Sequence, residues 1–265
     1  MTVSSFNEPT ELKLSEVHHT GGIFRIARNG KRAHGLVADW HDNGKVALRF
    51  RLKNGILHGS WENFHENGEL ALWQHYLDGK LDWFSERYDK TGRQTESCGW
   101  LNGKRHGMLR RLSSRNVKTY EGNFILGQPD GTHRITYENG QTKCESHFKN
   151  GERIGTWTKY FESGRLQAVC SFYKDRREGE ERSYYERGTL KTLRRFLDDK
   201  EVGLSFLYRE NGTLINAVSY KNGKKDGVEY DFDSNVRVCN EQTWVEGVLE
   251  ADVRYLFGKP ETRSF

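Results

Sequence analysis

Ten histidines are the residues of this chain best suited to bind a metal or move a proton. Three of them, His34, His58 and His106, fall at multiples of 24 residues, and Asp82, Asp130, Ile154, Glu178, Val202 and Asp226 fill the same place elsewhere. A column so mixed reads as a polar turn position. His41 and His65 share another column, and equivalent atoms one repeat on lie about 10 Å apart in a stacked sheet, too far for one ion. His18 and His19 fall outside the register and carry no metal assignment. The cysteines Cys98, Cys144, Cys170 and Cys239 form no CxxC pair. Cys98 and Cys170 occupy one column three repeats apart, on the order of 30 Å, beyond disulfide reach; all four read as reduced packing thiols. Paired carboxylates at Asp198 and Asp199 fall in a turn column, where aspartate is a turn residue first. The chain has no GxGxxG opening a helix, no GxxxxGK[ST], no GxSxG and no HExxH. No catalytic, cofactor-binding or metal-binding residue is assigned, and a non-enzyme is expected.

The elements that carry these residues follow a 24-residue register. Stepping by 24 from Gly35 gives Gly59, Trp83, Gly107, Gly131, Gly155, Gly179, Gly203 and Gly227, eight glycines in nine places. A second column runs Gly44, Gly68, Gly92, Asn116, Gly140, Gly164, Gly188 and Gly212, and a third Gly55, Gly79, Gly103, Gly127, Gly151, Asp175, Asp199, Gly223 and Gly247. Asn and Asp are the other residues that tolerate a left-handed backbone, so all three columns read as turns. Between them lies an aromatic column, Tyr76, Trp100, Phe124, Phe148, Phe172, Phe196, Tyr220 and Trp244, preceded by Leu52. A second runs Trp40, Phe64, Tyr88, Leu112, Thr136, Tyr160, Tyr184, Tyr208 and Phe232. Leucine or valine recurs at Val46, Leu70, Leu166, Leu190, Leu214 and Val238, six residues before the first aromatic column and so on its face of the strand. Both aromatic columns are expected to form one core layer. The alternate positions Lys45, Arg93, Arg165, Arg237, Glu121, Glu145 and Glu241 make the other face polar. Each unit is thus a β-hairpin, and the fold expected is all-β: an elongated single-layer antiparallel array of about nine repeats. Residues 1–22 are assigned to an N-terminal cap or arm, 23–250 to the array and 251–265 to a C-terminal cap strand and tail.

Composition agrees. Hydrophobic residues make up 34%, too few for a thick core, but 7 Trp, 12 Tyr and 14 Phe can bury area in a thin one. Net charge is +5, with 42 basic and 37 acidic residues, which reads as a mixed solvated surface. The first residues lack a basic start followed by an apolar run, and no stretch of about 18 apolar residues occurs, so cytoplasmic residence is the default.

The segment YEGNFILGQPDG (Tyr120 to Gly131) resembles the MORN repeat, YxGxWxxGxxxG, and GKRHG (Gly103 to Gly107) matches its second half. Units such as FKNGERIGTWTKYFESGRL (Phe148 to Leu166) and YKNGKKDGVEYDF (Tyr220 to Phe232) look more like the bacterial variant, found in proteins similar to the YwqK-type antitoxins. The resemblance spans about residues 24–250. It implies a binding scaffold: in bacteria an antitoxin or immunity protein beside its toxin, in eukaryotes a membrane-proximal adaptor with affinity for acidic phospholipid. The sequence lacks the GxG that follows the second glycine of the eukaryotic pattern.

Surface positions supply candidates for partner contact. Trp61, Trp73 and Trp157 fall off the aromatic core columns, and tryptophan is enriched at binding hot spots. Arg87 and Arg111 lie in phase, while Arg110, Arg115 and Lys118 thicken the middle of the array. The function expected is a protein-binding scaffold that sterically blocks a partner toxin; the alternative is an adaptor meeting anionic lipid through a basic face. Nucleic acid is not an expected partner. The partner's identity, the face it uses and the oligomeric state stay open.

Overall fold

A computed structural model describes residues 11–256 and 259–262. The chain divides into two compact units, one ending at Pro129 and the other beginning at Asp130. Both are all-β meanders of antiparallel hairpins in the expected register, with strands such as Val46–Lys53, Ile56–Phe64 and Leu70–Leu77 in the first and Thr142–Lys149, Glu152–Tyr160 and Leu166–Tyr173 in the second.

The hairpins close where the sequence puts Asn-Gly or its substitutes. The type I′ two-residue hairpin turn, whose twist matches its strands, needs positive φ at both central residues. Asn54 and Gly55 adopt +52° and +80°, and Asp198 and Asp199 adopt +57° and +64°. The Gly44 column closes the alternate loops: His41 N–H donates to Lys45 O at 2.8 Å, Gly44 N–H to His41 O at 2.9 Å, and Asn43 Oδ1 accepts the Lys45 N–H at 3.0 Å. The column beginning at Gly35 differs from expectation. Its members lie at or inside strands, where pairing slips, as between Phe50↔Trp61 and Leu52↔Leu57. These residues are β-bulges, which need positive φ as turns do.

Cross-strand pairs define the two faces. On the packed face of the first unit, Val37, Phe50, Trp61, Gln74, Ser85, Cys98 and Leu109 are successive neighbours. Val37 and Phe50 are fully buried. The first aromatic column shares this face, in even steps from Phe50 and Cys98. The second does not: Phe64 lies an odd step from Trp61, and the Arg49 guanidinium, which pairs with Glu62 on the outer face, sits 5.2 Å from the Phe64 ring centre. Trp40, Phe64, Tyr88, Tyr160, Tyr184, Tyr208 and Phe232 therefore line the outer face, and the single layer of rings is corrected to two. Trp61, expected off the core, stacks on Phe50 with centroids 4.6 Å apart.

The first unit is closed at its start by residues 11–33. Leu12 pairs in parallel with Val37, and the hairpin Val17–Thr20/Ile23–Ile26 lays Phe24 5.4 Å from Phe50. Phe24 N–H donates to Gly55 O at 2.7 Å and Gly55 N–H to Ala33 O at 2.6 Å, so the closing layer extends past residue 22. Residues 1–10 of the expected cap lie outside the described residues. In the second unit, Val248–Leu256 is followed by Lys259–Thr262, paired antiparallel to it, while residues 257–258 and 263–265 of the expected tail lie outside the description.

His34, His41 and His65 hold turns and neighbouring repeats. His34 Nδ1 accepts the N–H of Asn54, as Asp82 accepts that of Asn102 and Asp226 that of Glu246, each holding a turn twenty residues on. His41 and His65 Nε2 meet Phe64 O and Tyr88 O, both at 3.0 Å, stapling one repeat to the next, and Tyr137 and Tyr185 donate to Tyr160 O and Tyr208 O in the same way. Among the described residues no group of three or more His, Cys, Asp or Glu could hold a metal ion. The four thiols are unpaired, and burial pushes Cys98 up and Cys170 up to about 11.

Candidate binding face

Across the outer face of the first unit the central cross-strand row reads Ala38, Arg49, Glu62, Trp73, Glu86, Ser97, Arg110, Glu121. Two of its carboxylates carry an arginine: Glu62 binds Arg49, and Glu121 lies 3.5 Å from Arg110. Lys118 and then Arg110 hold Glu121 below the usual carboxylate range. Glu86 stands between Trp73 and Ser97. Its oxygens accept the Tyr88 hydroxyl at 2.7 Å and the Gln94 amide at 3.0 Å, both neutral, and it pairs with no cation among the described residues. Burial first, and then the hydrogen bond and charge of Glu86, push the Tyr88 hydroxyl up.

Beside Glu86 the glycine column is broken. Trp83 occupies the bulge position that is glycine in the other eight repeats, keeps the same positive φ of +73°, and is 61% exposed. A bulky side chain there costs on the order of 1–2 kcal/mol relative to an ordinary backbone. The bulge brings Trp83 and Phe84, consecutive in sequence, onto one face, with ring centres 5.8 Å apart. Trp83 meets Trp73 at 6.0 Å and 76°, and His75 at 5.9 Å and 89°. Leu70, Trp73, Trp83, Phe84 and Glu86 line an open depression of about 360 Å³. Rings standing nearly at right angles around a carboxylate can receive a side chain from another molecule.

The other candidates disperse. Trp73 belongs to this cluster and Arg110 to its row. Arg87 and Arg111 lie on the packed face, both directed at Glu96, at 3.7 and 2.7 Å. Arg115 is exposed in the loop after Leu112, its N–H on Ser113 Oγ at 3.2 Å. Trp157 lies on the packed face of the second unit, paired with Cys170, and borders a shallow depression of about 440 Å³ with Lys159, Glu181, Ser183, Tyr185 and Arg194. The expected tryptophan and arginine residues thus form no single patch. Trp83, Phe84 and Glu86 were missing from the expectation. Their signal was present, because Trp83 alone interrupts its glycine column.

Three segments, residues 57–78, 129–150 and 177–198, match the family described as MORN repeat variant. Their starts are three and two 24-residue steps apart, in phase with the register. These three hairpin segments are thus similar to MORN repeats. No curated protein matches the chain. Among solved structures, crystal structures of TcdB2-TccC3-TEV and TcdB2-TccC3 match 88% of this chain at 12% and 10% identity, with TM-scores of 0.21 and 0.17. The chain spans 14% of the length of each, and similarity at this level supports no inference. No helix among the described residues is long and apolar enough to cross a membrane.

Proposed function

We propose that this chain is a non-enzymatic repeat scaffold that binds a protein partner through the Trp83 face of its first unit. More narrowly, we read it as a cytoplasmic antitoxin or immunity protein that blocks a partner toxin by covering it. The observation that carries the reading is Trp83, a large aromatic held exposed at a backbone angle that suits glycine. Strain and exposure kept together at one position point to use, and tryptophan flanked by a polar rim, here Arg49–Glu62 and Arg110–Glu121, is the composition of a binding hot spot. Four unpaired thiols suit a reducing compartment. The lipid-binding alternative draws less support, since Arg49, Arg110 and Arg134 on the outer faces already face Glu62, Glu121 and Glu145.

The test is co-purification from the native host with the unaltered chain and with Trp83→Gly. A stoichiometric protein partner should accompany the former, with affinity for the latter lower by about 30-fold or more, the loss typical of a hot-spot residue. Trp83→Gly restores the glycine of its column, so its melting temperature should be unchanged or higher. Capture that is indifferent to Trp83, or no protein partner together with salt-sensitive sedimentation on anionic vesicles, would overturn the proposal.

A further inference from the structure

We propose that the Trp73–Trp83–Phe84 depression takes an arginine side chain of the protein partner, with Glu86 as its counter-ion. This rests on reading the Trp83 face as the contact surface and adds the chemistry of what enters it.

Charge complementarity is the first ground. Glu62 and Glu121 in the row have their own arginines, whereas the neighbours of Glu86 are an indole and a serine. Each Glu86 oxygen accepts one neutral donor, and a carboxylate oxygen has a second lone pair to offer. Two acceptors side by side match the planar fork of a guanidinium, which a lysine ammonium meets only as a point charge. The rings are the second ground. Aromatic faces attract cations, indole most strongly, and the 76° angle between Trp73 and Trp83 makes a corner with two walls. Leu70 gives the methylene stem an apolar surface to lie on.

The third ground lies in the second unit, where the chain builds this arrangement twice from its own residues. Arg153 lies 4.2 Å from the centre of the Phe172 ring and donates through Nε to Asp175 at 3.0 Å. Arg177 lies 3.8 Å from Phe196 and donates to Asp199 at 3.0 Å. In the first unit the Trp83 depression has rings and a carboxylate, and the arginine is left for the partner to supply.

The experiment follows the indole Nε–H signals of Trp73 and Trp83 by NMR while the full chain is titrated with acetyl-Gly-Arg-Gly-amide, its lysine and citrulline counterparts, and choline. The arginine peptide should shift both signals. Citrulline, neutral and of nearly the same shape, should bind about tenfold more weakly or worse, and lysine and choline more weakly than arginine. Glu86→Gln, which preserves shape and hydrogen bonding toward Tyr88, should reduce arginine binding about tenfold with an unchanged melting temperature. Equal response to citrulline, tighter binding of choline or lysine, or indifference to Glu86→Gln overturns the assignment. Partner capture separates the two levels. If Trp83→Gly abolishes it and Glu86→Gln leaves it intact, the contact surface stands and the arginine falls; if neither variant matters, both fall.

Discussion

The central packed row of the first unit sets Val37, Phe50, Trp61 and Leu109 among Gln74, Ser85 and Cys98, with no charged member, whereas the corresponding row of the second sets Trp157, Cys170 and Val218 among Glu181, Arg194, Ser205 and Glu229. The covering of the aromatic column differs likewise. In the first unit Leu57 and Leu81 stand cross-strand from Leu52 and Tyr76 and one cation, Arg105, lies 5.6 Å from the Phe124 ring centre, while in the second Arg153, Arg177 and Lys225 lie over the rings of Phe172, Phe196 and Trp244. Glu229, 8% exposed, is satisfied by Lys225 and by Asn216 at 3.0 Å. Pairing offsets the desolvation cost of buried polar groups, so their net contribution to stability is small. The repeat geometry is therefore set by turns and bulges common to both units, and the face they create accepts either chemistry. Stability should then be concentrated in the buried cluster around Val37 and Phe50 of the first unit and be sensitive to pH in the second.

The strongest way to break this contrast is Phe50→Ala. Phe50 is fully buried between Trp61 and Phe24, and truncation removes a stacked ring and leaves a cavity, at a cost of about 3–5 kcal/mol. Denaturant unfolding, read together with amide exchange in residues 35–64, checks it; a loss below about 1 kcal/mol would mean that the closing segment is not part of the cooperative core.

A pair of glycines sharpens the comparison at matched backbone angle. Gly55 and Gly223 share one column, with φ of +80° and +81°. A Cβ on Gly55 would stand 2.7 Å from Ile23 Cγ2 and from Phe24 O, whereas on Gly223 its nearest neighbour is Lys200 Cβ at 3.8 Å. Gly223→Ala should cost about 1 kcal/mol for the left-handed backbone alone. Gly55→Ala adds overpacking against the closing segment, for a total of about 2–4 kcal/mol. Equal costs by thermal unfolding would show that residues 11–33 yield without resistance.

The register was legible because positive φ is a strict filter: only glycine, asparagine and aspartate pass it cheaply, and they pass it every 24 residues. The same strictness hid the difference between a turn and a bulge, since Gly59 and Gly55 satisfy one backbone demand for two reasons. Strand alternation correctly sets Trp61 opposite Phe64, but Trp61 falls on the wrong side because the Phe64 column reads as core; the bulge at Gly59, across which Leu57 and Trp61 share one face, is not visible in composition. The packed row itself, Gln74, Ser85, Cys98, Ser205 and Glu229, is too polar to announce burial. As for the candidate face, Trp73 could be picked out as an off-column tryptophan; Glu86 could not, because its significance is the arginine its neighbours lack.

The smallest effect expected tests the charged face of the second unit. Hydrogen bonds from the backbone N–H and then the guanidinium of Arg153 hold the Asp175 carboxyl below the usual aspartate range, and Arg177 does the same for Asp199. A carboxylate depressed in the folded state contributes stability that is fully present above its unfolded value, about 3.9, and is lost as pH falls through the folded value. Both groups are largely exposed, so screening keeps the contribution of each below about 1 kcal/mol. The double variant Asp175→Asn/Asp199→Asn keeps residues that tolerate positive φ and removes the two titrations. At pH 7 it should be slightly less stable than the unaltered chain, and the gap should close as pH drops below about 4. Asp89, held at about 2 by its bonds to Thr91 first, and Asp233, lowered by the Arg237 backbone, titrate equally in both proteins, so the difference isolates the two clamps. Amide exchange in residues 152–201 should register the change and residues 35–64 should not; no gap at pH 7 would mean that these arginines are held by the Phe172 and Phe196 rings with the carboxylates adding nothing, and a gap that persists unchanged into acid would mean that it does not arise from the carboxylate charges.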